Sequence, residues 1–236
     1  MANQVLTLPN GETISYLLEH RQRRTVGLKI TEEGLVVHAP KRIFAYQLNN
    51  ILQEKSAWII NKLQARAANQ VDAIVWTTGE NLLYLGQDIQ LDIVTHSSNK
   101  ALAFEDNILI IATPTPDKHA LIQRKVIQWY QKQAELDFSR RLEIFAAKLS
   151  VPTPPLALSN AKSRWGSCNS RGEVRLNWRL LQAPPHIINY VICHELAHLK
   201  QMNHSAKFWA VVEQLFPNYK LAEKELKTLS PQLHRM

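Results

Sequence analysis

The sequence predicts an α+β protein, with a β-rich N-terminal part followed by a mostly helical part that contains a short sheet. In the N-terminal part, short apolar or alternating runs are separated by turn-forming residues such as Gly11 and Gly34, which is typical of strands. In the C-terminal part, apolar residues recur at the spacing of a helix face, most clearly between Ile187 and Leu199. These two patterns favour strands first and helices later.

The same two patterns predict the individual strands and helices along the chain. The predicted strands of the N-terminal part lie at residues 4–8, 13–18, 25–30, 35–39, 82–85, 89–94, 102–104 and 108–111. A single long helix is predicted between them, at residues 44–68, from its apolar spacing. No repeat and no low-complexity segment is found in the sequence.

The Pro114–Asp117 stretch is the best candidate for a domain boundary, because its prolines make a stiff link ahead of a long helical pattern. We therefore expect a β-rich domain over residues 1–115 and a second domain over residues 116–236. The elements predicted for the second domain are helices at 117–149, 185–199 and 205–216 and strands at 156–159 and 173–178. The second strand either offers a free edge to an extended peptide or lies inside its sheet; the sequence permits both.

Composition narrows the class of protein. The chain has 236 residues, of which 45% are hydrophobic, and this is enough to bury a sizeable core. No signal segment and no membrane-spanning run is evident. Only two cysteines, Cys168 and Cys193, are present, which favours a reducing, cytoplasmic setting over a disulfide scaffold. The net charge of +8 suits a polyanionic partner but is equally common as a solubility feature.

The sequence His194-Glu195-Leu196-Ala197-His198 carries the most specific signal. Residues four apart share a helix face, so His194 and His198 can both bind one cation. Glu195 lies one step round the helix and can act as general base, which is the pattern of zinc hydrolases. A chance pair of histidines is the alternative. It is disfavoured because three unpaired polar side chains in so apolar a segment would be costly.

His204 is the preferred third ligand, since the short connection from His198 leaves it little freedom to lie elsewhere. We expect the chain to reverse at Asn203 in the left-handed conformation, because the glycine found at this turn in a related motif is replaced here by Gln201. The competing third ligands are the downstream carboxylates Glu213, Glu223 and Glu225.

Other polar residues are weaker candidates for the site. Lys162 and Arg164 are possible contacts for an oxyanion or a phosphate, although surface cations are commoner. Asn177 is a possible contact for the ligand or the substrate. Cys193 is expected to point about 100° away from His194 and to pack in the core.

A series of segments in one order resembles a known family. It comprises Ser163–Cys168, Arg175–Arg179, Ala183–Pro185, His194–His198, His204-Ser205 and Phe208-Trp209, with weaker similarity at Arg23-Arg24 and Val37–Pro40. Together these segments resemble the YgjP-like metal-dependent hydrolases, relatives of the WLM and SprT-like zinc metallopeptidase domains. The resemblance implies a zincin-like catalytic domain with His194, His198 and His204 as zinc ligands and Glu195 as base. Nickel or manganese are alternative metals.

Three functions from different classes follow. The first is a zinc peptidase or related amide hydrolase. The second is a metal-dependent nucleoside-triphosphate (UTP) pyrophosphatase, an activity associated with a member of the family. The third is a non-catalytic, zinc-stabilised module that binds nucleic acid. This last function is disfavoured because the sequence lacks a run of basic residues on one helix face and dense mixing of aromatic and basic residues.

Overall fold

The computed structural model describes residues 2–8, 11–31, 33–68, 72–97 and 102–236. The chain divides into two compact units, Met1–Gln70 and Val71–Met236. The predicted link at Pro114–Asp117 lies inside the second unit, where it joins a strand to a long helix. The α+β class expected from the sequence is confirmed. None of the described helices combines the length and the hydropathy needed to cross a bilayer.

The first unit is a four-stranded sheet followed by two helices. Its strands are β1 (Ala2–Thr7), β2 (Thr13–Arg21), β3 (Gly27–Thr31) and β4 (Gly34–Pro40), and its helices are α1 (Ala45–Glu54) and α2 (Ser56–Ala68). The single helix predicted at 44–68 is therefore two, because the chain leaves helical geometry at Lys55. Buried leucines from the sheet and from the helices, including Leu35 and Leu52, form a small core.

The second unit begins with another four-stranded sheet. Its strands are β5 (Asn81–Tyr84), β6 (Gln87–Thr95), β7 (Leu102–Glu105) and β8 (Ile108–Thr113). The strand order is β5-β6-β8-β7, which matches β1-β2-β4-β3 of the first unit. In both sheets two antiparallel hairpins meet through a parallel central pair, β2 with β4 and β6 with β8. The backbone topology is thus repeated although the sequence has no recognisable repeat.

The remainder of the second unit contributes a long helix, a small sheet and three further helices. These elements are α3 (His119–Lys148), β9 (Leu156–Ser159), β10 (Gly166–Cys168), β11 (Val174–Asn177), a 3-10 turn at Trp178–Gln182, α4 (Pro185–Ala197), α5 (Ala206–Leu215) and α6 (Tyr219–Leu233). The helix α6 and the strand β10 were not predicted from the sequence. Buried residues of α3, α4 and the sheets share one core, with Tyr130, Phe138 and Trp178 among its largest members.

The sequence left open whether the strand predicted at 173–178 has a free edge or lies inside its sheet, and the pairing of the small sheet answers this. Its order is β10-β11-β9, so β11 pairs on both sides and has no free edge. Among the described residues, β10 pairs with β11 alone and forms one edge of this sheet. Since β10 also packs against α4, the available edge lies on the strand next to the helix that carries the histidines.

Candidate metal centre and active site

Helix α4 presents the two motif histidines and begins as predicted. Pro185 is its first residue, where the missing N–H of proline costs no helical hydrogen bond. The helix ends earlier than expected, at Ala197, with His198 as its C-cap. Backbone N–H groups of Leu199, Lys200 and Gln201 then donate to the carbonyls of Leu196 and Ala197, which tightens the chain into a turn.

The turn that returns the chain to the site does not contain the left-handed residue that was predicted. Asn203 is not in the left-handed conformation; among the described residues that φ is adopted elsewhere. Instead, the side-chain amide of Gln201 donates to Oδ1 of Asn203 at 3.0 Å. Helix α5 then starts after Ser205, as expected, but the Ser205 hydroxyl makes no capping hydrogen bond.

His204 is returned to the two histidines of α4. Its Nε2 atom lies 3.1 Å from Nε2 of His194, and its ring centroid lies 4.9 Å from that of His198. One nitrogen from each of the three imidazoles lies within 4.8 Å of the others. Among the residues that the structure describes, none of the carboxylates Glu213, Glu223 and Glu225 belongs to this group.

This donor set fits a divalent ion such as zinc. A tetrahedral ion with Zn–N bonds of about 2.0–2.1 Å holds its ligand nitrogens about 3.3 Å apart, close to the separation of the two Nε2 atoms. Burial, followed by the neighbouring imidazoles, lowers the pKa of His194 to about 4, so its ring is neutral at pH 7 and has a lone pair to offer. Nδ1 of His198 lies 3.3 Å from the Gln201 carbonyl, and that contact leaves Nε2 of His198 available to a metal ion.

Glu195 lies next to the imidazoles and is only 5% exposed. Burial raises the pKa of its carboxyl to about 8, and the positive charge of Arg164 opposes this rise. The carboxyl packs against β10, where a Cβ at position 166 would collide with Oε1 of Glu195. Glycine at position 166 therefore allows the acid to reach the edge strand.

A cavity of about 200 Å³ opens beside His194. It is lined by Trp165, Gly166, Tyr190, Val191, His194, Glu195 and Leu226. Three elements form its walls, since these residues come from the start of β10, from α4 and from α6. Most of the side chains are apolar or aromatic, and Glu195 supplies a carboxyl group at one side.

The two candidate cations lie in the exposed loop that leads into β10. Arg164 is close enough to influence the pKa of Glu195, and Lys162, after burial and Arg179, helps to lower the pKa of His234. The ring of His234 stacks on Trp165 at 4.4 Å between centroids, and Trp165 lines the cavity. Positive charge is therefore concentrated on the Trp165 side of the cavity.

Asn177 is placed beneath this loop and not among the residues that line the cavity. It is fully buried, its amide nitrogen donates to the Ala161 carbonyl at 2.7 Å, and its Oδ1 accepts from the Arg179 N–H at 3.1 Å. The two ends of its amide thus tie together the segments that follow β9 and β11, which leave the small sheet at the same end because these strands are parallel.

The remaining candidates have other partners. Glu225 pairs with His186 at 2.8 Å, and Glu223 pairs with Lys227 at 2.7 Å. Cys193 is fully buried in the core, as expected. Sequence reasoning missed Trp165, Tyr190 and Gly166 as residues of the site, because their place depends on long-range packing. Only the spacing of Tyr190, four residues before His194, was available as a signal.

Three imidazoles that converge beside a buried carboxylate are the side-chain set of a metal-dependent hydrolase. The sequence matches the YgjP-like metallopeptidase domain over residues 24–229, which is most of the chain. The protein therefore belongs to the YgjP-like metallopeptidase family and is a metal-dependent hydrolase. This finding confirms the resemblance identified from the sequence segments.

Individual relatives are more distant. The UTP pyrophosphatase of Escherichia coli K12 is 25% identical over 131 residues, which is 52% of this chain and 78% of that protein. The metallopeptidase zymogen abylysin of Pyrococcus abyssi is 28% identical, with a TM-score of 0.37 over 39% of this chain and 92% of its own. The zymogen jannalysin of Methanocaldococcus jannaschii is 23% identical, with a TM-score of 0.34 over 38% and 91%.

Proposed function

We propose that the protein is a zinc-dependent peptidase or related amide hydrolase. In this proposal His194, His198 and His204 hold the metal and Glu195 is the general base. The observation that carries it is the convergence of three imidazole nitrogens within 4.8 Å beside the buried Glu195. Zinc suits a set of nitrogen ligands from three histidines, which leaves a fourth position open.

A bound zinc ion would supply a Lewis acid that polarises the scissile carbonyl and lowers the pKa of water at the site. The chain supplies the proton transfers. Glu195 accepts a proton from the attacking water and returns it to the leaving nitrogen, for which a carboxyl with a pKa near neutrality is well suited. A cation close to Glu195 would lower its pKa below about 8 and so favour the ionised form that the first step needs.

The edge strand β10 supports a peptide as substrate. Extended peptides bind to exposed strand edges through main-chain hydrogen bonds, with side chains in adjacent pockets. Gly166 of β10 lies next to the Glu195 carboxyl, and the adjoining cavity has apolar walls at Trp165, Val191 and Leu226. A peptide in this position would place an apolar side chain in the cavity and its carbonyl near the histidines.

A nucleoside triphosphate is the second candidate substrate. The observation that favours it is the cluster of Lys162, Arg164, Arg179 and His234 on the Trp165 side of the cavity, which suits phosphate oxygens. Trp165 also offers an aromatic surface to a base. The relative from Escherichia coli named UTP pyrophosphatase agrees with this alternative.

We place the reaction in the reducing cytoplasm, in keeping with the two unpaired cysteines Cys168 and Cys193. Nucleic acid remains the least favoured partner, and retention of steeply salt-dependent binding after Glu195→Gln would be its signature.

The experiment is a parallel screen of a mixed peptide library and the common nucleoside triphosphates with zinc-loaded protein. We expect turnover of peptides that is lost with a chelator and in Glu195→Gln. Cleavage of nucleotides with no peptide cleavage would transfer the assignment to the pyrophosphatase. Absence of chelator-sensitive turnover of either substrate class in metal-verified protein would contradict both.

A further inference from the structure

Tyr190 lies one helical turn before His194 on α4 and therefore on the same face of that helix. Its ring meets the ring of His194 edge to face, with 6.1 Å between centroids, and meets Phe216 at 6.5 Å. Tyr190 also lines the cavity together with His194 and Glu195. Its ring is thus fixed at the wall of the space that the substrate would occupy.

The hydroxyl of Tyr190 makes no hydrogen bond within the described part of the fold. Tyr190 is 5% exposed, and no hydrogen bond to its hydroxyl is found in the part of the chain that the structure describes. Tyr130 of the same unit differs, because it is fully buried and its hydroxyl donates to the Leu83 carbonyl at 2.7 Å. The hydroxyl oxygen of Tyr190 is not among the fully buried polar atoms that lack a partner in the described residues, so it is accessible to solvent. The free hydroxyl of Tyr190 is therefore available to a group that enters the cavity.

We propose that Tyr190 is a further catalytic residue, whose hydroxyl donates a hydrogen bond to the substrate oxygen on which negative charge develops. The inference rests on the proposed hydrolytic function. As the water oxygen bonds to the carbonyl carbon, the C=O π pair moves onto the carbonyl oxygen and Glu195 takes a water proton. Tyr190 keeps its own proton, because burial holds the pKa of its hydroxyl above the value of about 10 that is usual for a phenol.

A donor that is already in place when the charge develops stabilises the transition state without reorganisation. The two other elements of the cavity wall supply no free side-chain donor among the lining residues: β10 and its preceding loop contribute Trp165 and Gly166, and α6 contributes Leu226. The Trp165 ring N–H is already committed to Oγ of Ser230 at 3.0 Å. Tyr190 is thus the neutral side-chain donor that this wall offers to an oxyanion.

Inorganic phosphate and cobalt(II) test the proposal whatever the natural substrate is. Phosphate is a tetrahedral oxyanion, and cobalt(II) reports on the metal site through its visible absorption. Tyr190→Phe keeps the ring against His194 and removes only the hydroxyl. We expect it to take up cobalt with unchanged affinity and to bind phosphate about tenfold more weakly than the wild type.

Turnover by the zinc-loaded protein provides the second readout, with whichever substrate class the parallel screen identifies. We expect Tyr190→Phe to lower kcat by about 100-fold and to change KM by less than about threefold, because the lost contact forms mainly in the transition state. Tyr130→Phe is the matched control. It removes a buried hydroxyl that does not line the cavity, and it should lower the melting temperature while leaving kcat unchanged.

A phosphate-dependent shift of tyrosine absorption near 290 nm in the wild type, absent from Tyr190→Phe, would support the proposal without relying on turnover. Equal phosphate affinity in the two proteins, or a loss confined to KM, would overturn it. A cobalt-loaded wild type that does not respond to phosphate would also overturn it. Failure to take up cobalt at all would instead contradict the proposed function, so the two failures are distinguishable.

Discussion

The two four-stranded sheets have the same strand order and the same directions, yet only one is part of the unit that contains the site. The sheet of the first unit packs with α1 and α2 around a small core. The sheet of the second unit shares its core with α3, α4 and the small sheet, and this core extends to the buried residues around His194. The topology of a sheet alone therefore does not determine which unit carries the candidate metal site.

What distinguishes the second unit is the set of elements that follows its sheet. Helix α4 supplies two imidazoles and a carboxyl, the turn after it supplies the third imidazole, and β10 provides a glycine that admits the carboxyl. No comparable group of histidines is found in the described part of the first unit. Function depends on the site that a fold carries, not on the fold itself.

The largest effect on turnover is expected when an acidic residue of the site is replaced, compared with an acidic residue of the first unit. Glu195→Gln should lower turnover by about 10²- to 10⁴-fold with the metal retained, because the amide cannot accept the water proton. Glu19→Gln, in the first unit, removes a carboxylate that pairs with Arg21 at 2.7 Å and should leave turnover unchanged. Steady-state kinetics with metal analysis of both variants checks this. Comparable turnover in Glu195→Gln and the wild type would eliminate Glu195 as the base.

The second prediction concerns the stability of the metal-free protein as a function of pH. The folded state raises the pKa of Glu195 from 4.5 to about 8, so over that interval the native state keeps a proton that the unfolded state releases. Stability due to this group is complete below pH 4.5 and is lost as pH rises to 8, by on the order of 5 kcal/mol at about 1.4 kcal/mol per pKa unit.

Urea unfolding of the metal-free wild type and of metal-free Glu195→Gln, from pH 4.5 to 8.5, measures this difference. The variant lacks the ionisable group, so the wild type should lose stability relative to it as pH rises. A constant difference between the two proteins across this range would show that the carboxyl ionises normally.

Two leucines compare the cores of the two units. Leu109 on β8 and Leu35 on β4 are both buried, and Leu→Ala at such positions typically costs about 2–5 kcal/mol. Leu109→Ala should shift the unfolding transition that releases bound cobalt, because Leu109 belongs to the core shared with α4. Leu35→Ala should destabilise the first unit and leave that transition in place. Equal shifts of the cobalt transition in both variants would mean that the two cores unfold together.

The smallest effect is expected from a pair of glycines. A Cβ at position 166 would meet the Glu195 carboxyl, whereas a Cβ at position 27 would meet only the end of the Arg23 side chain, which can move away. Gly166→Ala should therefore reduce kcat by about tenfold, because it displaces the carboxyl of Glu195, the proposed base. Gly27→Ala should be silent. Wild-type kcat in Gly166→Ala would show that the carboxyl tolerates displacement from β10.

Local features of the site could be predicted from the sequence. His194 and His198 lie one turn apart on a helix, so their convergence follows from helical geometry alone. The return of His204 was predicted from a short connection, and the chain bends at Asn203, although not in the left-handed conformation that was expected. These residues are close in sequence, and local geometry leaves few alternatives.

Features that depend on long-range pairing could not be predicted in this way. The edge position of β10 is fixed by its partner β11 and by the parallel pairing of β11 with β9, neither of which its three residues reveal. Trp165 and Leu226 line the same cavity only because α6 packs on α4. The repeated sheet topology also escaped detection, since strand order resides in hydrogen-bond pairing and not in recurring residues.

Metal stoichiometry is the most direct measurement of the central claim. Protein stripped with a chelator and dialysed against micromolar zinc should contain one zinc ion per chain, and His204→Ala should bind it much more weakly. Elemental analysis after dialysis gives both values. Wild-type protein that takes up no zinc under these conditions, or His204→Ala that binds it with undiminished affinity, would contradict a centre built from these three histidines.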